Sequence, residues 1–192
     1  IGEYIIRKIA QAKGTAEDSQ FVNGTGTPFT GIMHPGNTFG KEVLIQGSAV
    51  EDLKYGHLID AQYGIDQNYL AGARWLLHRT WMGAIRKIKD DNGNSIFTPG
   101  NGTEPSTIMD YPFTLVENAP TTAFSSGKPV MALGNFNNSI IGDIEDMYVS
   151  ILDQATIDGT SLAQFDLVAL RVITRVAFTP GMTDLYSAIS WA

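Results

Sequence analysis

The chain has 192 residues, 43% of them hydrophobic and 17% charged, values of a globular protein with room for one substantial core or two small lobes that share one. Twenty acidic residues outnumber thirteen basic ones, giving a formal charge of −7, which argues against a protein whose main task is gripping nucleic acid, because each phosphate contact needs a cation. The absence of cysteine excludes disulfide staples, zinc-thiolate sites and thiol nucleophiles together, and fits synthesis in a reducing cytoplasm.

The chain begins at Ile1 and enters a helical pattern at once, with Ile1, Ile5, Ile9 and Ala12 along one side and Glu3, Arg7, Lys8 and Gln11 outward. No capping signal precedes this helix, so the chain reads as a fragment or processed form whose true N-terminus lies upstream. The helix runs to about residue 20 and is ended by Phe21-Val22, and Asn23-Gly24-Thr25-Gly26 opens a glycine-rich loop through Gly40. A second helix is expected from Ser48 to about Tyr63, with Val50, Leu53, His57 and Leu58 on one side. A strand from Trp75 to His78 runs into a third helix, for which Thr80 is the expected N-cap. Trp81, Ile85 and Ile88, widened by Met82 and Ala84, form its apolar stripe. Arg86, Lys87 and Lys89 suit the carbonyl end of that helix, and Asp91-Asn92-Gly93 turns the chain toward Ser95-Ile96-Phe97. A polar loop then leads to a strand at Tyr111–Val116, its start marked by Pro112. Val130–Phe136 and Ser139–Ile144 read as strand, bend and strand, Met147–Leu152 as a further strand, and Phe165–Phe178 as long β-branched alternation around Arg171 and Arg175. That last stretch is the best candidate to span a bilayer, and its two arginines exclude it; no secretory signal is present. There is no internal repeat and no regular βαβ rhythm, so the fold class is α+β.

Motifs that carry chemistry are few. Gly24, Gly26 and Gly31 follow a helix instead of opening one, and no Gly-Lys-Ser/Thr occurs, so they read as a helix stop and chain reversal, not a phosphate loop. A calcium loop built on Gly93 would need Ile88 and Pro99 as ligands, and neither has a carboxylate. His34, His57 and His78 are scattered over loop, helix and strand without a partner at metal-ligand spacing. Asn23, Asn101 and Asn137 open glycosylation sequons, chance matches in a chain with no secretory signal. The expectation is therefore no catalytic residue, no metal ligand and no cofactor.

Several segments, in order, resemble the major capsid proteins of tailed phages, the shell subunits with the Hong Kong 97 (HK97) fold. Gln20–Gly26 followed by Gly31-Ile32 is similar to the end of that family's spine helix and its Asn-Gly turn. Trp75–Gly93 resembles the strand, helix and turn of its axial domain. Met109–Phe113, Gly134-Asn135-Phe136, Met147 and Leu170–Phe178 are similar to later family strands and bends. The resemblance covers nearly the whole chain.

What it implies is a peripheral domain (1–47 and 140–175) with a spine helix and long strands, and an axial domain (48–139 and 176–192). It implies a structural subunit, not an enzyme, that joins other copies in hexamers and pentamers of an icosahedral virion shell, assembled in the bacterial cytoplasm. Scaffold, protease and portal are the implied assembly partners, with neither membrane nor sequence-specific nucleic-acid binding. The family's N-terminal arm and extended loop, which precede the spine helix, have no counterpart here. The lysine–asparagine crosslink of some relatives has no support either: the segment expected to supply its glutamate reads Val168–Ile173. The alternatives are an encapsulin-type compartment shell with the same fold and, in a different class, a small hydrolase or ligand-binding domain, which needs a pocket with convergent polar groups.

Overall fold

The computed structural model describes residues 2–37, 39–47, 49–89, 97, 106–121, 127–182 and 185–192, with only the backbone for 144–147. The expected turn at Asp91–Gly93 and residues Ser95 and Ile96 lie outside the described residues.

Two strands buried along their whole length, β5 (Pro129–Gly134) and β10 (Tyr186–Trp191), form the middle of a six-stranded mixed sheet. Beyond β10 lies β1 (Lys41–Ile45); beyond β5 come β2 (Arg74–Leu77), β4 (Tyr111–Leu115) and β3 (Thr107–Ile108), so the order is β1-β10-β5-β2-β4-β3. β10 and β5 are antiparallel, as are β5 and β2, whereas β1 runs parallel to β10 and β2 parallel to β4. The parallel β2–β4 pair needs a crossover, and α3 (Arg79–Lys87) lies within it. Helices and a mixed sheet in one chain are the α+β class read from the sequence.

Side-chain alternation on the sheet builds two layers of core. On one face Val43, Ile45, Trp75, Leu77, Met131 and Leu133 meet α3 and α2 (Tyr55–Tyr63) through Leu58, Ala61, Trp81, Met82 and Ile85. On the other, Ala132 and Leu76 meet Val22, Ile32, Met33 and Ala119. Trp75 and Trp81 are fully buried, and each indole N–H reaches a carbonyl, of Ile108 at 3.1 Å and of Pro120 at 2.9 Å. These bonds remove the cost of burying a donor inside an apolar layer.

Four local expectations are corrected. The N-cap of α3 is His78, not Thr80: His78 is extended, and its Nδ1 accepts the Thr80 N–H at 3.1 Å while Thr80 is already helical. The helix expected over 48–63 is a 3-10 turn at Val50–Asp52, an extended Lys54 at the cap, and then α2. The strands expected at Ser139–Ile144 and Met147–Leu152 are one, β6 (Ile140–Leu152), continuous through irregular register near Glu145. The last long strand starts at Ala169, not Phe165, because Ala163–Phe165 form a 3-10 turn and Asp166 takes a left-handed conformation.

α1 (Gly2–Asn23) and a ribbon of β6 with β9 (Ala169–Thr179) stand apart from the sheet. The ribbon ends in a small hairpin of β7 (Thr156–Ile157) and β8 (Thr160–Ser161), turned by Asp158-Gly159, both at positive φ as a tight hairpin requires.

Candidate assembly surfaces

The last turn of α1 is anchored by the loop that follows it. A helix end leaves carbonyls without partners, and here Ile32 and Met33 donate backbone N–H to Phe21 and Val22 carbonyls at 2.9 and 2.8 Å. The chain can return this closely because Gly24 and Gly31 face each other: a Cβ on Gly31 would stand 2.6 Å from the Val22 carbonyl oxygen. Gly31 N–H donates to the Gly24 carbonyl at 2.9 Å. The glycines thus do what the sequence reading gave them, stopping a helix and reversing the chain.

Around this reversal Phe21 stacks on Phe29 at 5.6 Å and lies 5.0 Å from Phe178 of β9. From the other side Asn118 Nδ2 donates to Asp18 at 2.8 Å, and Asn23 Nδ2 donates to the Asn118 carbonyl. Helix, ribbon and sheet meet at this place. Away from it α1 is uncovered: Val22 is its only buried residue among those described, Ile5 and Ile9 are half-buried, and Tyr4 and Ile6 are exposed.

The ribbon repeats the pattern. Paired residues share a face, so Phe178/Ile141, Val172/Val149 and Leu170/Ile151 form one apolar side. Its inner end packs through Phe178 against Phe21 of α1 and Phe29 of the loop that follows it. Toward the tip it is bare, with Ile151 71% and Val149 47% exposed. Tyr148 and Ile140 are exposed as well, and Phe165, Leu167 and Val168 continue the apolar exposure into the tip. A two-stranded ribbon is marginal alone in water, and contiguous apolar exposure marks surfaces that other molecules cover.

The histidines have structural partners. In all three the ring Nδ1 accepts a backbone N–H: His34 from Gly36 at 2.9 Å, His57 from Lys54 at 3.2 Å, His78 from Thr80 at 3.1 Å. This requires the tautomer with the proton on Nε2. His57 sits below the usual histidine range because burial and the Lys54 charge disfavour its cation, with Asp60 opposing them. His78 Nε2 lies 4.0 Å from Glu117, whose side chain is 92% exposed, a loose pair without a third member. Among the described residues no group of three His, Asp or Glu is placed to hold a metal ion. No described helix is long and apolar enough to cross a membrane. An open cleft of about 710 Å³ lies between the Val50–Leu53 segment, the start of α2 and the outer side of α3.

Compared with known proteins, the chain matches the model of the phage capsid family over residues 1–182. The chain belongs to the phage capsid family. No curated protein sequence matches it. Among solved structures it is similar to the capsid of an empty GTA particle (22% identity, TM-score 0.74), covering all of this chain and 66% of that one. The capsid of a native GTA particle gives 22% identity and a TM-score of 0.75, with 100% and 72% covered. A chain of Mycobacterium phage Bobi gives 21% and 0.64, with 98% and 65% covered. At these identities the structures share the fold, the HK97-like one anticipated from the sequence, and this capsid-family chain spans about two thirds of their length.

Sequence reasoning missed β1 and β10. Tyr186–Trp191 is a strand without a strand pattern: Ser187 and Ser190 interrupt the apolar residues, yet both are fully buried, and the Ser187 hydroxyl donates to the Lys41 carbonyl at 3.2 Å. Its one local signal is the pair of aromatic ends, Tyr186 and Trp191.

Proposed function

We propose that the protein is a structural subunit of an icosahedral phage or prophage capsid, joining copies of itself in hexamers and pentamers that enclose the genome. One observation carries the reading: the family match, residues 1–182, runs through α1, the ribbon and every strand of the sheet but β10. The bare apolar side of the ribbon and the uncovered α1 support it, because a shell subunit leaves to its neighbours the surfaces that a monomer must hide. A shell also needs many modest contacts repeated by symmetry and no reactive centre, so this reading assigns no catalytic, metal or cofactor residue. An encapsulin-type shell is less favoured, since the similar structures above are a GTA capsid and a phage chain.

Within the reading, residues 1–47 and 140–175 form a peripheral domain and 48–139 and 176–192 an axial one, the first lending β1 to the sheet of the second. Assembly takes place in the host cytoplasm with scaffold, protease and portal as partners, and the product resides in the virion. Electron microscopy of the full-length gene product, co-expressed with its assembly protease, tests this. Closed shells or isolated five- and six-membered rings are expected; a uniformly monomeric product refutes it and returns the cleft beside α3 to consideration as a ligand pocket.

A further inference from the structure

Two short stretches of the sheet region carry opposite net charge. Residues 41–73, which include β1 and α2, carry five acids (Glu42, Glu51, Asp52, Asp60 and Asp66) against Lys41 and Lys54. Residues 74–89, which form β2 and α3, carry Arg74, Arg79, Arg86, Lys87 and Lys89 and no acid. In the sheet the first group starts from the β1 edge and the second belongs to the other half. A subunit that carries an acidic patch and a basic patch apart from each other is steered toward itself head to tail, and head-to-tail contacts close into rings when the rotation allows.

Shape accompanies charge. Tyr63, the last residue of α2, is 81% exposed, the most exposed large apolar side chain among the described residues. It stands between Asp60 and Asp66, both exposed. At the opposite end of α2, about 14 Å away for a nine-residue helix, is the cleft beside α3. Val50, Leu53 and Ala84 give it an apolar lining, and Lys54, Lys87 and Lys89 on its rim outnumber the one acid there, Glu51.

The geometry points to a contact between copies in which Tyr63 of one subunit, flanked by Asp60 and Asp66, seats in the lysine-rimmed cleft of the next. The contact rests on the reading of the chain as a capsomer subunit. A tyrosine in an apolar cleft ringed by polar groups is the composition of an interface anchor, and the surrounding ion pairs set register and rate of encounter more than affinity. Because knob and cleft lie at opposite ends of one helix, successive α2 helices follow one another around the ring.

The absence of cysteine allows a disulfide test. Gly83 is exposed on the cleft side of α3, and an added Cβ there meets nothing within 4 Å. The purified full-length gene product carrying Tyr63→Cys and Gly83→Cys, once oxidised, is expected to give a ladder of covalent multimers ending at five or six copies, while each single variant stops at the dimer. Separately, Lys87→Glu with Lys89→Glu is expected to weaken self-association about tenfold at low ionic strength in sedimentation, and adding Asp60→Lys with Asp66→Lys to restore it. If rings or shells still form while the ladder is missing or stops at the dimer, or charge reversal changes nothing, the contact is overturned and the capsid reading stands. A chain that stays monomeric at every concentration overturns both.

Discussion

Replacing Trp81 by alanine tests how α3 is held to the sheet. The side chain is fully buried, its Nε1–H donates to the buried Pro120 carbonyl at 2.9 Å, and its ring lies 5.9 Å from that of Trp191. Loss of a tryptophan from a core costs about 3–5 kcal/mol through lost transfer energy and the cavity left behind. The orphaned carbonyl raises the total to about 4–6 kcal/mol. With a urea slope of about 2 kcal/mol per molar, the midpoint falls by about 2–3 M. Such a loss rivals the whole stability of many domains, so Trp81→Phe supplies the graded comparison. It keeps a six-membered aromatic ring but loses the N–H and part of the indole's volume, for about 2–4 kcal/mol. Helix circular dichroism is the suitable probe, because Trp75 and Trp191 complicate fluorescence. A Trp81→Ala midpoint within about 0.5 M of the parent at unchanged slope would refute the packing argument and mean that α3 presents another face to the sheet.

Gly31→Ala is expected to destabilise by at least about 1–3 kcal/mol, because its Cβ would meet the Val22 carbonyl at 2.6 Å; thermal unfolding measures this, and an unchanged Tm would remove the close approach. Met109 and Asp110 turn β3 into β4 with φ of 50° and 69°, a turn that favours glycine, so Asp110→Gly is expected to add about 0.5–1 kcal/mol, read as a higher urea midpoint. His57 has a folded pKa below its ordinary 6.5, so the unfolded chain takes up the proton first. Its contribution is complete above 6.5, shrinks as pH falls through the folded value, and is constant below it. His57→Gln keeps an acceptor for the Lys54 N–H without titrating, so parent stability relative to this variant should drop as the pH falls below 6.5; parallel pH profiles would exclude His57 as the cause.

Elements with a local signature were legible in the sequence. α1 and α3 announce themselves by period, β4 by Pro112 at its start, β5 by the run Val130–Leu133, and the α1 stop by Gly24 and Gly31. The errors arise where a distant partner decides. Ser187 and Ser190 sit in a strand only because β1, some 146 residues earlier, and β5 enclose it on both sides. Thr80 is the better N-cap by preference, but the His78 ring, two residues earlier, accepts the N–H of Thr80 itself and so starts the helix before it. The break at Lys54 follows from Asp52 accepting the Ala49 N–H at 2.8 Å, which closes a turn before α2 can begin.

The ribbon presents the opposite case: its pattern was read, but the burial that pattern implies is missing in one copy. Leu170, Val172, Val176 and Phe178 alternate as a half-buried strand should, yet only the Phe178 end has α1 behind it, and Leu170 and its partner Ile151 are 43% and 71% exposed. Burying a large aliphatic side chain completely contributes about 1.5–3 kcal/mol. Covering Ile151, Val149 and Leu170 therefore contributes several kcal/mol, even after allowance for the area already hidden. That is of the order of a domain's net stability, and it is released when a further layer lies against the ribbon. The alternation in β9 thus specifies a buried strand whose second layer comes from outside the chain, which a self-contained monomer has no use for and a shell subunit does.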